Sequence, residues 1–246
     1  RMRAIIPGLV LALASLPAAA ETVRVAVASN FAGTLEELSS AFEAGSDHEV
    51  RVSTGSTGKH YAQIRNGAPF DLFFAADSRR PRLLEEKGHA VAGSRFTYAQ
   101  GRVVLYSPDP EAFEDGRNAL ESGTFQRLAI ANPELAPYGL AAKQALTNLG
   151  VWSTWEPRLI RGENIGQTQH FVQSGNVEAG VVALSQVIKA GGSQWTIPGD
   201  LHDPIRQQAV TLPSGEDNEA VAAFLTFLRG EEGAAIIRDF GYSVPE

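Results

Sequence analysis

Strand and helix signals alternate along almost the whole chain, and that alternation limits the fold more than any other feature. Thr22 to Ala28 (TVRVAVA) alternates with a period of two, and Phe31, Leu35, Leu38 and Phe42 then recur at helical spacing. A strand therefore feeds a helix. The pairing returns at Glu49 to Ser53 with a helix carrying Tyr61 and Ile64, and at Asp71 to Ala75 (DLFFA) with a polar helix from Arg79 to Lys87. A second set starts near Arg102 with RVVLYS and continues with RLAIA at Arg127 to Ala131, a helix after Pro137, and AGVVAL at Ala179 to Leu184. This order predicts an α/β fold of open sheets with helices on both faces. A length of 246 residues gives room for two lobes with a core each.

The spacing puts lobe 1 at residues 21–100 and 207–246 and lobe 2 at 101–206. Ile205 to Leu212 is strand-like, and amphipathic helices over Asn218 to Leu228 and Glu231 to Phe240 close the chain. If these return to lobe 1, crossings near 98–102 and 205–209 form a hinge, with a ligand cleft between the lobes. A plain division into an N-terminal and a C-terminal lobe would leave the same local patterns.

Ahead of the first strand, Arg1 and Arg3, the apolar stretch from Ile5 to Leu16 and Ala18-Ala19-Ala20 read as a secretory signal. Residues 1–20 are therefore expected to be cleaved after Ala20, outside the fold, which implies a periplasmic protein. The apolar stretch falls short of the roughly 20 residues that a bilayer core demands. There is no cysteine, so neither a disulfide nor the usual bacterial lipid attachment point is available. The formal net charge is −7, and losing Arg1 and Arg3 makes it more negative. Nucleic acid is a poor partner for such a surface. A small anion remains possible, because a local cluster of oriented dipoles outweighs a distant, screened net charge.

Four turns supply such dipoles. Ser29-Asn30 follows the first strand, and Thr54-Gly55-Ser56-Thr57-Gly58 follows the second, each where a helix begins. Ala136-Pro137-Tyr138-Gly139 and Asn164-Ile165-Gly166 open two helices of the second set. The first N–H groups of a helix lack partners within it, and the aligned peptide dipoles leave positive charge there, so such ends receive anions. In open α/β sheets these turns lie at the carboxyl ends of strands, where ligands bind. Taken singly, each Ser, Thr or Asn reads as an ordinary N-cap. Only the set of four points to one small ligand.

The stretches VAVASNFAGTLEELSSAF, STGSTGKHYAQIRNGAPFDLFFAAD, GSRFTYAQGRVVLYS, IANPELAPYGLAAKQALTNLG and ENIGQ carry a more specific resemblance. In that order, over nearly the whole chain after the signal, the sequence resembles the periplasmic molybdate-binding proteins of ABC transporters. The resemblance implies a two-lobed periplasmic binding protein fold of type II, no cofactor, a molybdate or tungstate ligand, and a monomer that delivers it to a membrane permease. It matches Ser29 and Asn30 to the first oxyanion-contacting turn, Thr57 to a position offering hydroxyl and N–H, and Tyr138 and Ile165 to backbone N–H donors. Molybdenum would thus be held through its oxyanion rather than as a bare cation. Some members add a tyrosine hydroxyl where this chain has Ala183. The subgroup with asparagine at the first turn lacks that tyrosine, and Asn30 suggests membership in it, with contact through the side-chain amide.

Rival readings fail on particular residues. A nucleotide-binding loop, G-x-x-x-x-G-K-[ST], needs glycine and a hydroxyl where Ser53 and His60 stand. A nucleophile elbow around Ser56 needs glycine where Thr54 stands. His48, His60, His89, His170 and His202 show no close pair with metal-ligand spacing. An enzyme built on the same cradle would need a nucleophile or general base beside the anion, and none is visible. Sulfate, chromate or phosphate on the same scaffold are the remaining alternatives.

Overall fold

The computed structural model describes residues 20–245, so the segment read as a signal lies, apart from Ala20, outside the described residues. The first strand–helix pairs are β1 (Thr22–Ala28) with α1 (Ala32–Ala44), β2 (Glu49–Gly55) with α2 (Thr57–Arg65), and β3 (Leu72–Phe74) with α3 (Arg79–Glu86). β4 (Phe96–Gly101) ends this run. β5 (Val103–Ser107), α4 (Gly116–Ser122), β6 (Leu128–Ala131), α5 (Pro137–Asn148) and α6 (Trp152–Trp155) begin the next. It continues through β7 (Leu159–Gly162), α7 (Ile165–Gln173), β8 (Ala179–Ala183), α8 (Leu184–Val187) and β9 (Ser193–Thr196). Then come β10 (Ile205–Thr211), α9 (Glu219–Arg229) and α10 (Glu231–Asp239).

Hydrogen bonding sorts these strands into two five-stranded mixed sheets, ordered β2-β1-β3-β10-β4 and β7-β6-β8-β5-β9. β1 runs parallel to β2 and β3, whereas β10 comes back antiparallel between β3 and β4. The chain therefore passes between sheets twice, once between Gly101 and Val103 and once between Thr196 and Ile205. Gly101 and Ile205 pair with each other, so the first sheet takes Gly101, Ile205 and Arg206, which the spacing had placed on the other side.

Each sheet has its own core. Leu35, Leu38 and Phe42 of α1 pack with Val25 and Val27 of β1 and with Val221, Phe224 and Leu228 of α9. Leu128 and Ile130 of β6 pack instead with Ala142 and Leu146 of α5 and with Trp155. The period-two residues of β1 and the helical stripe of α1 thus meet as their spacing requires. An ion pair between half-exposed Arg24 and buried Asp71 ties β1 to the start of β3: Asp71 accepts from Arg24 Nε at 3.0 Å, Nη2 at 2.8 Å and the backbone N–H at 2.8 Å. Burial alone would raise the Asp71 carboxyl, but the bonds from Arg24 outweigh it and hold the group below the ordinary carboxylate range.

Candidate anion site

The parallel strands β1 and β2 deliver their following turns side by side, with Ala28 opposite Gly55. β6 and β7 do the same in the other sheet, with Ala131 opposite Gly162. The two pairs of turns face each other. One cavity between the sheets is lined by Ser29, Asn30, Thr57, Tyr138 and Ile165 together with Ser56 and Ala76. All five residues singled out in the sequence therefore meet at one place. The free space between these residues is small, on the order of one water molecule.

Local capping decides which N–H groups remain free there. Ser56 caps α2 by accepting from Lys59 N–H, and Gly58 N–H reaches across to the Leu135 carbonyl at 2.9 Å. That leaves Thr57 N–H unclaimed. α5 begins with Ala136, whose methyl cannot cap, followed by Pro137, which has no N–H, so the first donor of that helix is Tyr138. Asn164 caps α7 through Gln167 N–H and leaves Ile165 free. Among the described residues no backbone carbonyl accepts from the N–H of Ser29, Asn30, Thr57, Tyr138 or Ile165. Such buried, unpaired donors are rare unless a ligand or water answers them.

The hydroxyls divide. Thr57 Oγ1 accepts from Ala76 N–H at 3.0 Å, so its own proton stays available. Ser29 Oγ gives its proton to the Gly55 carbonyl at 3.0 Å. Asn30 departs from the expectation drawn from its sequence match. Its amide donates to Gln207 Oε1 at 2.6 Å and to the Tyr242 hydroxyl at 2.9 Å, so both amide hydrogens are engaged inside the protein. Asn30 therefore presents its backbone N–H, and its Oδ1 is buried without a partner. Sequence reasoning missed Gln207 and Tyr242 because neither belongs to a strand–turn–helix motif. Ala183 stands at the N-cap position of α8 and brings no hydroxyl.

No lining residue of the cavity is charged, so the field there comes from peptide and hydroxyl dipoles. The sheets are joined around it by Lys59 to Glu163 at 2.8 Å and by Arg80 Nη2 to the Glu134 carbonyl at 2.7 Å. A Cβ on Gly58 would sit 3.0 Å from Leu135 Cα, so this glycine lets the two turns close on each other. Below the turn, buried His60 meets the Val27 carbonyl at 3.1 Å and Gln63 at 3.0 Å. Burial pushes its pKa below the usual imidazole value. It supports Gly55, where a Cβ would lie 2.9 Å from its ring nitrogen. Among the described residues no cluster of three or more His, Cys, Asp or Glu could hold a metal ion.

Comparison with known proteins defines the class. Residues 23–243 match the bacterial extracellular solute-binding proteins, and the chain belongs to that family. It is 46% identical over 236 residues to the molybdate-binding protein ModA of Azotobacter vinelandii, covering 94% of each chain. Identity to ModA of Rhodobacter capsulatus is also 46%, over 95% of this chain and 92% of that one. The solved Azotobacter vinelandii periplasmic molybdate-binding protein superposes with a TM-score of 0.88 at 40% identity, covering 91% of this chain and all of the other.

Proposed function

We propose that this chain is a periplasmic binding protein that captures molybdate, and tungstate with it, and hands the ion to the membrane permease of an ABC transporter. The observation that carries the reading is that five residues with unpaired N–H groups, among them Thr57 with a free hydroxyl proton, line one uncharged cavity between two sheets. The relatives named for molybdate binding support it. Residues 21–101 with 205–246, and 102–204, act as two lobes that close over the ion. Export removes the first twenty residues, and the mature protein acts as a monomer.

Molybdate is fully deprotonated near neutral pH, so all its oxygens accept, and donors alone satisfy it. Monohydrogen phosphate carries a proton that needs an acceptor, and a buried mismatch costs on the order of 1–3 kcal/mol. Asn30, which lines the cavity, has a buried Oδ1 without a partner, an acceptor of the kind such a proton needs, which makes phosphate the informative control. Sulfate is smaller, so a cage cut for molybdate leaves some donors beyond its reach. The lining holds no histidine, carboxylate or amine that could act as a base or nucleophile, and this supports capture rather than catalysis.

Calorimetry of the mature chain with molybdate, tungstate, sulfate and phosphate tests the reading. Tight binding of the first two and weak binding of the others is expected. Sub-micromolar phosphate binding without molybdate binding would overturn it.

A further inference from the structure

Behind the cavity lies a buried side-chain network that the anion reading does not use. Gln207, on β10, is fully buried. Its Nε2 donates to the Tyr98 hydroxyl at 3.1 Å, and Tyr98 donates in turn to the Ala75 carbonyl at 3.0 Å. Because the single Tyr98 proton is committed to Ala75, Tyr98 can only accept from Gln207, and the sense of the Gln207 amide is fixed. Oε1 must then face the other way. There it accepts from Asn30 Nδ2 at 2.6 Å and from the Tyr138 hydroxyl at 3.1 Å.

These two donors belong to residues that also contribute N–H groups to the anion cavity, Asn30 from the first sheet's side and Tyr138 from the second's. One oxygen thus joins both halves of the cage. Burial raises the pKa of the Tyr138 and Tyr98 hydroxyls well above the ordinary phenol value, and that of Tyr242 to about 12, so all three stay protonated donors near neutral pH. The position is sterically prepared as well. A Cβ on Gly101 would overlap the Tyr138 hydroxyl and lie 3.3 Å from Gln207 Oε1. Only glycine at that crossing leaves room for the contact.

We propose that Gln207 is a positioning residue for anion binding: its Oε1 fastens Tyr138 of one lobe to Asn30 of the other and so holds the donor cage shut. The proposal rests on the anion reading above. The bond from Tyr138 crosses between lobes, so it is expected to break as they part. Losing it should speed release and leave capture alone, since the encounter precedes closure.

Stopped-flow binding and release of molybdate, with wild type, Gln207→Leu, Tyr138→Phe and the double variant, tests this. Each single variant is expected to release the ion about threefold to tenfold faster, the worth of one buried hydrogen bond, with the association rate within about twofold of wild type. The double variant should release it no faster than the worse single, because both changes remove the same bond. Tyr138→Phe keeps every apolar contact, so it decides the matter alone if Gln207→Leu does not fold. Wild-type release rates in Tyr138→Phe, or additive effects in the double variant, overturn the role of Gln207 while leaving the anion site standing. A wild type that binds neither molybdate nor tungstate overturns the anion reading itself, and this role with it.

Discussion

The donor cage and the network behind it lie side by side and are built by opposite means. The proposed cage donors are backbone N–H groups of Ser29, Asn30, Thr57, Tyr138 and Ile165, placed by four strand–turn–helix units, with Ser29 and Asn30 sharing one. The network is made of side chains from six distant positions, Asn30, Tyr98, Tyr138, Ser185, Gln207 and Tyr242. In the cage the donors have no backbone acceptor, whereas in the network every atom but Asn30 Oδ1 is matched. The difference separates two tasks. Peptide donors anchored to sheets need no reorganisation to meet a dianion, while side chains that cross between lobes can let go when the lobes part.

Changes to the cage should therefore act on affinity, and the largest effect is expected where a peptide donor is deleted outright. Ile165→Pro removes the N–H at the first position of α7, where proline is tolerated and where Asn164 already has the extended backbone (φ −143°, ψ 171°) that a following proline prefers. One hydrogen bond to a buried charge is worth about 1.5–3 kcal/mol, so molybdate affinity should fall about tenfold to a hundredfold by calorimetry. An unchanged dissociation constant would place Ile165 outside the cage. A smaller loss is expected from Thr57→Val, about 1–2 kcal/mol, since the peptide N–H at 57 is retained while the hydroxyl donor goes. That variant should also melt earlier, because Ala76 N–H loses its acceptor. Loss of stability with no loss of affinity would move Thr57 from the cage to the scaffold.

The same contrast explains what the sequence made legible. β1 with α1 and β2 with α2 follow from period-two runs turning into helical stripes, and the turns between them expose the donors by virtue of local capping alone. The edge strands Leu159–Gly162 and Ser193–Thr196 carry no run of alternating apolar residues, since each has one open side and little to bury. They are visible only once β6 and β5 lie beside them. Asn30 was legible as a residue of the turn that lines the cavity but not in its orientation. Its amide is turned by Gln207 and Tyr242, which lie 177 and 212 residues away in sequence, and no local pattern encodes such a contact. Gly101 shows the same limit, because its need for a missing Cβ comes from Tyr138 in the other lobe.

In the proposed site neutral peptide donors from both lobes, rather than a basic side chain, hold the anion. Amide ¹H–¹⁵N spectra of the mature protein, recorded during titration with molybdate, test it most directly. The largest downfield proton shifts are expected at the N–H groups of Ser29, Asn30, Thr57, Tyr138 and Ile165, all following one binding curve. Shifts confined to one lobe, or centred on a lysine or arginine elsewhere while these five stay still, would contradict it.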